Sequence, residues 1–206
     1  MKKYPTIPKI GQLLLNHRPM YAFDKIDGSN IRAEWSKKRG FYKFGKRHGL
    51  LADTDPILGE SKELILSTYE DDLIKIFEKQ RWNNVTCFFE FAGPNSFAGS
   101  HEKEPHEVTL IDVAADKRGI LEPDIFLKLF DNLKIAAMLY YGYLDYCFIL
   151  KVQEGRLPGM TFEGVVCKGK AITPGCPVMI KIKNLAWINK LSAKYRNQPE
   201  MIEKLL

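Results

Sequence analysis

The chain has 206 residues, a net charge of +6, and 45% hydrophobic against 27% charged residues, which suits one globular domain or a domain with a small appendage. No apolar run approaches a membrane span, since stretches such as Phe148-Ile149-Leu150 are soon broken by charge, and Met1-Lys2-Lys3-Tyr4-Pro5 leads into no signal-peptide core. Cytoplasm, or a host cytoplasm if the source is viral, is the expected location, and a sequence pI near 9.0 tilts toward a nucleic-acid or polyphosphate partner.

Through Pro19 the chain holds Pro5, Pro8 and Gly11 around Leu13-Leu14-Leu15, an irregular lead-in with one brief element. Two apolar-rich runs, Met20-Tyr21-Ala22-Phe23 and Ile31-Arg32-Ala33-Glu34-Trp35, then flank Lys25-Ile26-Asp27-Gly28-Ser29-Asn30. Gly and Asn after Asp form turns, so the spacing predicts strand, tight turn, strand, with Lys25 where the turn begins. Burial or nearby cations would disfavour its ammonium form and make it a nucleophile. A surface hairpin with a solvated lysine is the plain alternative. Lys37-Lys38-Arg39-Gly40 is a basic turn. The short strand Phe41-Tyr42-Lys43-Phe44-Gly45 ends in Lys46-Arg47-His48-Gly49, either a solvated loop or a phosphate-binding one in which Arg47 offers a planar fork.

Between Glu60 and Trp82, Leu64, Ile65, Leu73, Ile74, Ile76 and Phe77 recur at helical spacing. They predict a helix, with a shorter one before it, that packs on a sheet and leaves Asp71-Asp72 in solvent. After the turn at Asn83-Asn84, residues 85–95 run as an apolar strand with Glu90 embedded near its end, where a carboxylate needs a partner. The following loop carries His101 and His106 without other metal ligands at useful spacing, so both read as surface histidines. The four cysteines, Cys87, Cys147, Cys167 and Cys176, form no CxxC pair and read as reduced thiols.

Residues 107–113 are β-branched and apolar, a strand. Glu122-Pro123-Asp124 opens a helix with proline in its first turn. A strand before Gly142 and a helix after it follow. Tyr140, Tyr141, Tyr143 and Tyr146 there serve either as core and rim packing or as stacking surfaces for bases. Phe162 to Lys168 is another apolar strand, with Glu163 near its start. On the strand from Val178 to Lys183, residues two apart share a face, so Lys181 and Lys183 point one way while Ile180 and Ile182 point to a core. An edge strand guarded by lysines is the alternative. Leu185 to Leu206 reads as one or two short helices, split near Asn197-Gln198-Pro199.

These segments, in this order, resemble the covalent nucleotidyltransferases, which comprise ATP-dependent DNA and RNA ligases and GTP-dependent mRNA capping enzymes. Lys25-Ile26-Asp27-Gly28 is similar to their nucleophile motif and Lys46-Arg47-His48-Gly49 to the loop that follows it. Phe89-Glu90-Phe91-Ala92-Gly93-Pro94, Glu163-Gly164-Val165-Val166 and Lys181-Ile182-Lys183 are similar to the third, fourth and fifth motifs. Ser29-Asn30 and Asn184 resemble the RNA ligases of the T4 RNA ligase 2 type.

The resemblance implies an α+β, ATP-grasp-like nucleotidyltransferase domain of antiparallel sheets flanked by helices, spanning 1–206 with a short helical tail from about 185. Lys25 would form lysyl-AMP from ATP, with Asp24, Ile26, Asn30, Arg47, Glu90, Glu163, Lys181 and Lys183 around the nucleotide. Glu90 would bind the ribose and Arg47 a phosphate or nucleic-acid end. Lys181 and Lys183 would neutralise the α-phosphate and lower the pKa of Lys25. Glu163 would hold Mg²⁺ (or Mn²⁺) or Lys25 itself, and Gly164 would let the backbone approach a ligand.

The sequence departs from the family in two places. Val108-Thr109-Leu110-Ile111 lacks the ring expected to stack on the purine, which leaves ATP against GTP open. Too few residues follow Lys183 for an OB-fold domain, so the chain would ligate alone, rely on a protein partner, or stop at self-adenylylation. The expected substrate is nucleic acid with 5′-phosphate and 3′-OH ends, RNA favoured over DNA. A GTP-using guanylyltransferase and an RNA-binding module that has lost catalysis are the alternatives.

Overall fold

The structure, a computed structural model, describes residues 2–10, 18–94, 96–98 and 103–205. The brief element expected at Leu13-Leu14-Leu15 and the surface position of His101 lie outside the described residues.

Two antiparallel sheets flanked by helices make an α+β fold. The four-stranded sheet runs β7-β1-β8-β9, from β1 (Met20–Asp24), β7 (Met138–Gly142), β8 (Gly164–Thr173) and β9 (Cys176–Lys183). In the five-stranded sheet the order is β3-β2-β4-β5-β6: β2 (Ser29–Ser36), β3 (Gly40–Lys46), β4 (Asn84–Ala92), β5 (Glu107–Ala115) and β6 (Gly119–Ile120).

The strand-turn-strand expected around Lys25 is therefore not a hairpin, because β1 and β2 lie in different sheets. Asp24 pairs with Val165 of β8, whereas Ser29 and Asn30 pair with Phe91 and Glu90 of β4. The cause lies in Asp27. Its carboxylate is buried and accepts the amides of Phe97 and Ala98 at 3.1 and 2.8 Å, so the turn is anchored to a distant loop rather than closing on itself. Gly28 completes the crossing, since a Cβ there would stand 2.5 Å from the Phe91 carbonyl oxygen.

α1 (Ser61–Lys79) is one helix with turns before it, not two helices. Ile65, Tyr69, Leu73 and Phe77, four residues apart, form its buried stripe against the five-stranded sheet, and Asp71 and Asp72 are exposed. Truncating a side chain as enclosed as Phe77 would cost about 3–5 kcal/mol. α2 (Pro123–Phe130) starts on its proline and buries Phe126 and Phe130 in the same core.

The second core, with Met20, Ala22, Val165, Ile180 and Ile182, lies on the four-stranded sheet under α3 (Tyr146–Gln153). α4 (Leu185–Lys194) is capped by Asn184, whose side chain accepts the Ala186 amide at 2.8 Å, and α5 (Pro199–Leu205) follows the expected break. Of the four tyrosines, Tyr140 stacks on Phe148 at 4.4 Å, whereas Tyr141, Tyr143 and Tyr146 are exposed. His106 is not a free surface histidine: its ring lies 4.6 Å from that of Phe91, and Nδ1 is 2.7 Å from Glu60. Among the described residues no helix is long and apolar enough to cross a membrane.

Candidate active site

Lys25 leaves the end of β1 at the seam between the sheets, its amide donating to the Gly164 carbonyl at 2.9 Å. That bond places the amine beside the start of β8. Lys25 Nζ lies 2.8 Å from Glu163 Oε1, and the same oxygen accepts from Lys183 Nζ at 2.9 Å. One carboxylate thus bridges two ammonium groups, with Glu163 and Lys183 buried and Lys25 about one-fifth exposed. Gly164 permits the arrangement. With φ +134°, it would set a Cβ 2.1 Å from the Ile182 carbonyl oxygen, so only glycine lets β8 start this close to β9.

Glu90 faces this group from β4, with Asn30 opposite it on β2; the Asn30 amide donates to the Phe89 carbonyl at 3.4 Å. Burial pushes the Glu90 carboxyl up to about 8, with Glu163 and Asp27 adding to the rise while Lys25 and Arg47 oppose it. Burial alone would lower the Lys25 amine, but Glu163 and then Glu90 outweigh it, and the ammonium is held above its ordinary range. The net direction is the opposite of the one expected from Lys181 and Lys183, because the carboxylates outweigh burial.

Lys183 carries the opposite shift. Burial, with Lys25 and Lys181, draws it down to about 8 against the pull of Glu163. It also donates to the Leu205 carbonyl at 2.6 Å and lies 3.8 Å above the Trp187 ring. Lys181 is more open, its value lowered by burial and by the nearby cations Lys25, Lys9 and Arg47. Arg47 is exposed in the loop after β3. The Asp24 carboxylate accepts from the Thr161 amide and hydroxyl, each at 2.9 Å.

A cavity of about 70 Å³ adjoins Lys25, walled by Ile26, Glu90, Ile111 and Val166 and closed by Tyr4 and Ile7. A larger one of about 520 Å³ lies beyond Asp24 and Ile26, lined by Thr109, Lys134, Thr161 and Lys190. Lys25 and Glu90 line the smaller cavity and not the larger one. Among the described residues no cluster of three or more His, Cys, Asp or Glu side chains could enclose a metal. A divalent ion bound with nucleotide needs only one or two carboxylates beside phosphate oxygens, and Glu163 is the carboxylate that would supply one.

The sequence reading missed Arg32. Buried on β2, it donates to the Lys2, Lys46 and Gly49 carbonyls, tying the N-terminal segment and the Arg47 loop to one side chain. A cation embedded in an apolar strand is the same signal that singled out Glu90. The buried pair Asp112–Lys168, at 2.7 Å, was missed as well.

The two-sheet α+β fold is similar to that of solved proteins named as RNA and DNA ligases. A mutant Naegleria gruberi RNA ligase solved with AMP and Mn superposes with a TM-score of 0.67 at 15% identity, over 92% of this chain and 58% of that one. The same ligase with PPi gives 0.66 at 17%, over 94% and 58%. An Aquifex aeolicus protein assigned as an ATP-dependent DNA ligase gives 0.67 at 21%, over 96% and 55%. The chain thus spans somewhat over half the length of these proteins. No family model matches it, and no curated protein does.

Proposed function

We propose that the protein is an ATP-dependent polynucleotide ligase, acting on RNA, that works through a lysyl-AMP intermediate. The observation that carries this reading is the Lys25 amine at the seam between the sheets, 2.8 Å from Glu163, with Glu90, Lys181 and Lys183 gathered around it. Support also comes from the order of the sequence motifs and from structural neighbours solved with AMP and Mn or with PPi.

In this reading the Lys25 ammonium first loses a proton to solvent, and Glu163 Oε1, 2.8 Å away, orients the amine. The Nζ lone pair forms a bond to the α-phosphorus of ATP as the bond to the bridging oxygen breaks and pyrophosphate departs. Positioning and charge neutralisation carry most of such a step. Lys181, the more open of the two β9 lysines, faces the α-phosphate, while Lys183 holds Glu163 in place. Glu90 and Asn30 meet the ribose, Asp24 and Ile26 flank the base, and Arg47 takes a phosphate or the nucleic-acid end. Glu163 would hold a magnesium or manganese ion, which would supply charge compensation for the leaving group. AMP then passes to a 5′-phosphate, and a 3′-OH displaces it.

RNA on the 3′-OH side is favoured by Ser29-Asn30 and Asn184, although Asn184 also serves as the α4 cap. A DNA substrate is the second reading, favoured by the Aquifex neighbour. Labelled ATP and GTP compared side by side, followed by sealing of all-DNA, all-RNA and mixed nicks, test the proposal. It expects ATP to label the protein and sealing to be slow, faster on a pre-adenylylated 5′ end, and best with an RNA 3′-OH strand. A GTP preference overturns the ligase assignment, and equal sealing with a DNA 3′-OH strand overturns the RNA assignment. Tight, salt-dependent RNA binding without any adduct would mark a binding module.

A further inference from the structure

The cavity beside Lys25 is closed by a segment that none of the sequence motifs includes. Residues Lys2–Ile10 cross its end as a strap with four fixings. The Lys2 carbonyl accepts from Arg32 at 3.1 Å, the Pro8 carbonyl from the Lys181 amide at 2.9 Å, and the Ile10 amide donates to the Lys181 carbonyl at 3.2 Å. The fourth is Tyr4, whose hydroxyl donates to Asp112. Two of the fixings are to the backbone of Lys181, so the strap and the open lysine of β9 are held together.

Tyr4 is oriented as well as fixed. Its ring lies 4.9 Å from that of Phe88, and Ile7 packs with Phe88 and Ile111 in a small apolar cluster. Burial and the neighbouring Asp112 carboxylate hold the phenol protonated, well above the ordinary tyrosine range, so it stays a donor to Asp112. Asp112 also binds Lys168 at 2.7 Å, and this buried pair sets where the hydroxyl sits. Apart from the charged Asp24, Lys25, Glu90 and Lys168, the rest of the wall is aliphatic, with Ile26, Ile111 and Val166, and Phe23, the other ring there, is buried in the main core. Tyr4 is the partly exposed ring at the cavity.

We propose that Tyr4, carried by the N-terminal strap, is the base-contacting residue of the nucleotide pocket and sets its affinity for a purine nucleotide. The inference rests on the ATP-binding reading above. An aromatic face beside a heterocyclic base gives stacking that the aliphatic walls cannot match.

The test is the rate of AMP-adduct formation by the full chain as a function of ATP concentration, with inorganic tripolyphosphate as a competitor that has no base. Tyr4→Ala should raise the half-saturating ATP concentration about tenfold, leave the maximal rate within about twofold, and leave tripolyphosphate inhibition unchanged. Tyr4→Leu, which keeps buried bulk without a ring, should do the same and serves if the alanine variant folds poorly. Tyr4→Phe should stay within about threefold of wild type. Unchanged ATP dependence in both ring-less variants overturns the proposal, as does equal weakening of tripolyphosphate, which would mark a merely structural role. Wild type that forms no adduct overturns the ligase reading and this inference with it, whereas labelled wild type with indifferent Tyr4 variants overturns this inference alone.

Discussion

Glu163→Gln is the most informative perturbation of the cluster, because one carboxylate oxygen serves two ammonium groups at 2.8 and 2.9 Å. At an effective dielectric of 20, each attraction is about 6 kcal/mol before desolvation is counted, and desolvation offsets most of it. Removing one partner of a buried pair costs about 3–5 kcal/mol. Here Lys183 moderates the loss, since its value is already drawn down to about 8 and it can shed its proton once Glu163 is neutral. The expected loss is about 3 kcal/mol at pH 7, falling to about 1–2 kcal/mol near pH 9.5. In the variant both lysines are depressed below their unfolded values, so the folded state binds fewer protons and stability rises with pH up to the ordinary lysine range. Wild type should gain stability in the same way from Lys183 between about pH 8 and 10.5, whereas for Lys25, whose value is raised, the sign reverses above 10.5. Urea unfolding of both proteins at pH 7 and 9.5 measures the difference. A loss under 1 kcal/mol at pH 7, or a variant with the wild-type pH slope, would refute the bridging role of Glu163.

Three further outcomes follow from the same geometry. Glu90 is a carboxyl raised to about 8, so the folded state holds its proton and wild type loses stability as pH climbs from 4.5 through 8. Glu90→Gln should be about 1–3 kcal/mol more stable than wild type at pH 9 and little different at pH 4.5, by chemical denaturation, while losing adduct formation; a parallel pH dependence would contradict this. Gly164→Ala meets both a positive φ and the Ile182 carbonyl, and should cost about 3 kcal/mol or more in thermal or urea unfolding, with retention of wild-type stability as the refuting result. Asp27→Asn weakens two charge-assisted bonds and should speed hydrogen exchange at the Phe97 and Ala98 amides; exchange at the wild-type rate would show that Asp27 does not anchor that loop.

Much of the fold is legible in the sequence where one period dominates. The stripe of Ile65, Leu73 and Phe77 predicts α1, and the runs around Glu90 and Glu163 predict β4 and β8. What the sequence hides is which distant groups meet. Asp27-Gly28-Ser29-Asn30 has turn chemistry, but the partner that decides its course is the loop at Phe97 and Ala98, some seventy residues away. The charge balance at Lys25 is hidden for a related reason. Counting Lys181 and Lys183 as neighbours is possible from strand periodicity, whereas the shared oxygen of Glu163 appears only when β8 and β9 are paired. The close packing of Gly164 on the β9 backbone is hidden in the same way. Tyr4 and Ile7 could not have been placed at the cavity from an irregular, proline-containing lead-in, because nothing periodic fixes where such a segment runs.

The central claim is that the Lys25 amine is the nucleophile. Wild-type protein incubated with ATP and manganese, digested and analysed by tandem mass spectrometry under conditions that preserve phosphoramidates, tests it most directly. AMP should appear on the peptide containing Lys25 and on no other, and Lys25→Ala, folded by circular dichroism, should carry none. AMP on Lys181, Lys183 or another side chain, or an adduct that survives Lys25→Ala, would contradict the account.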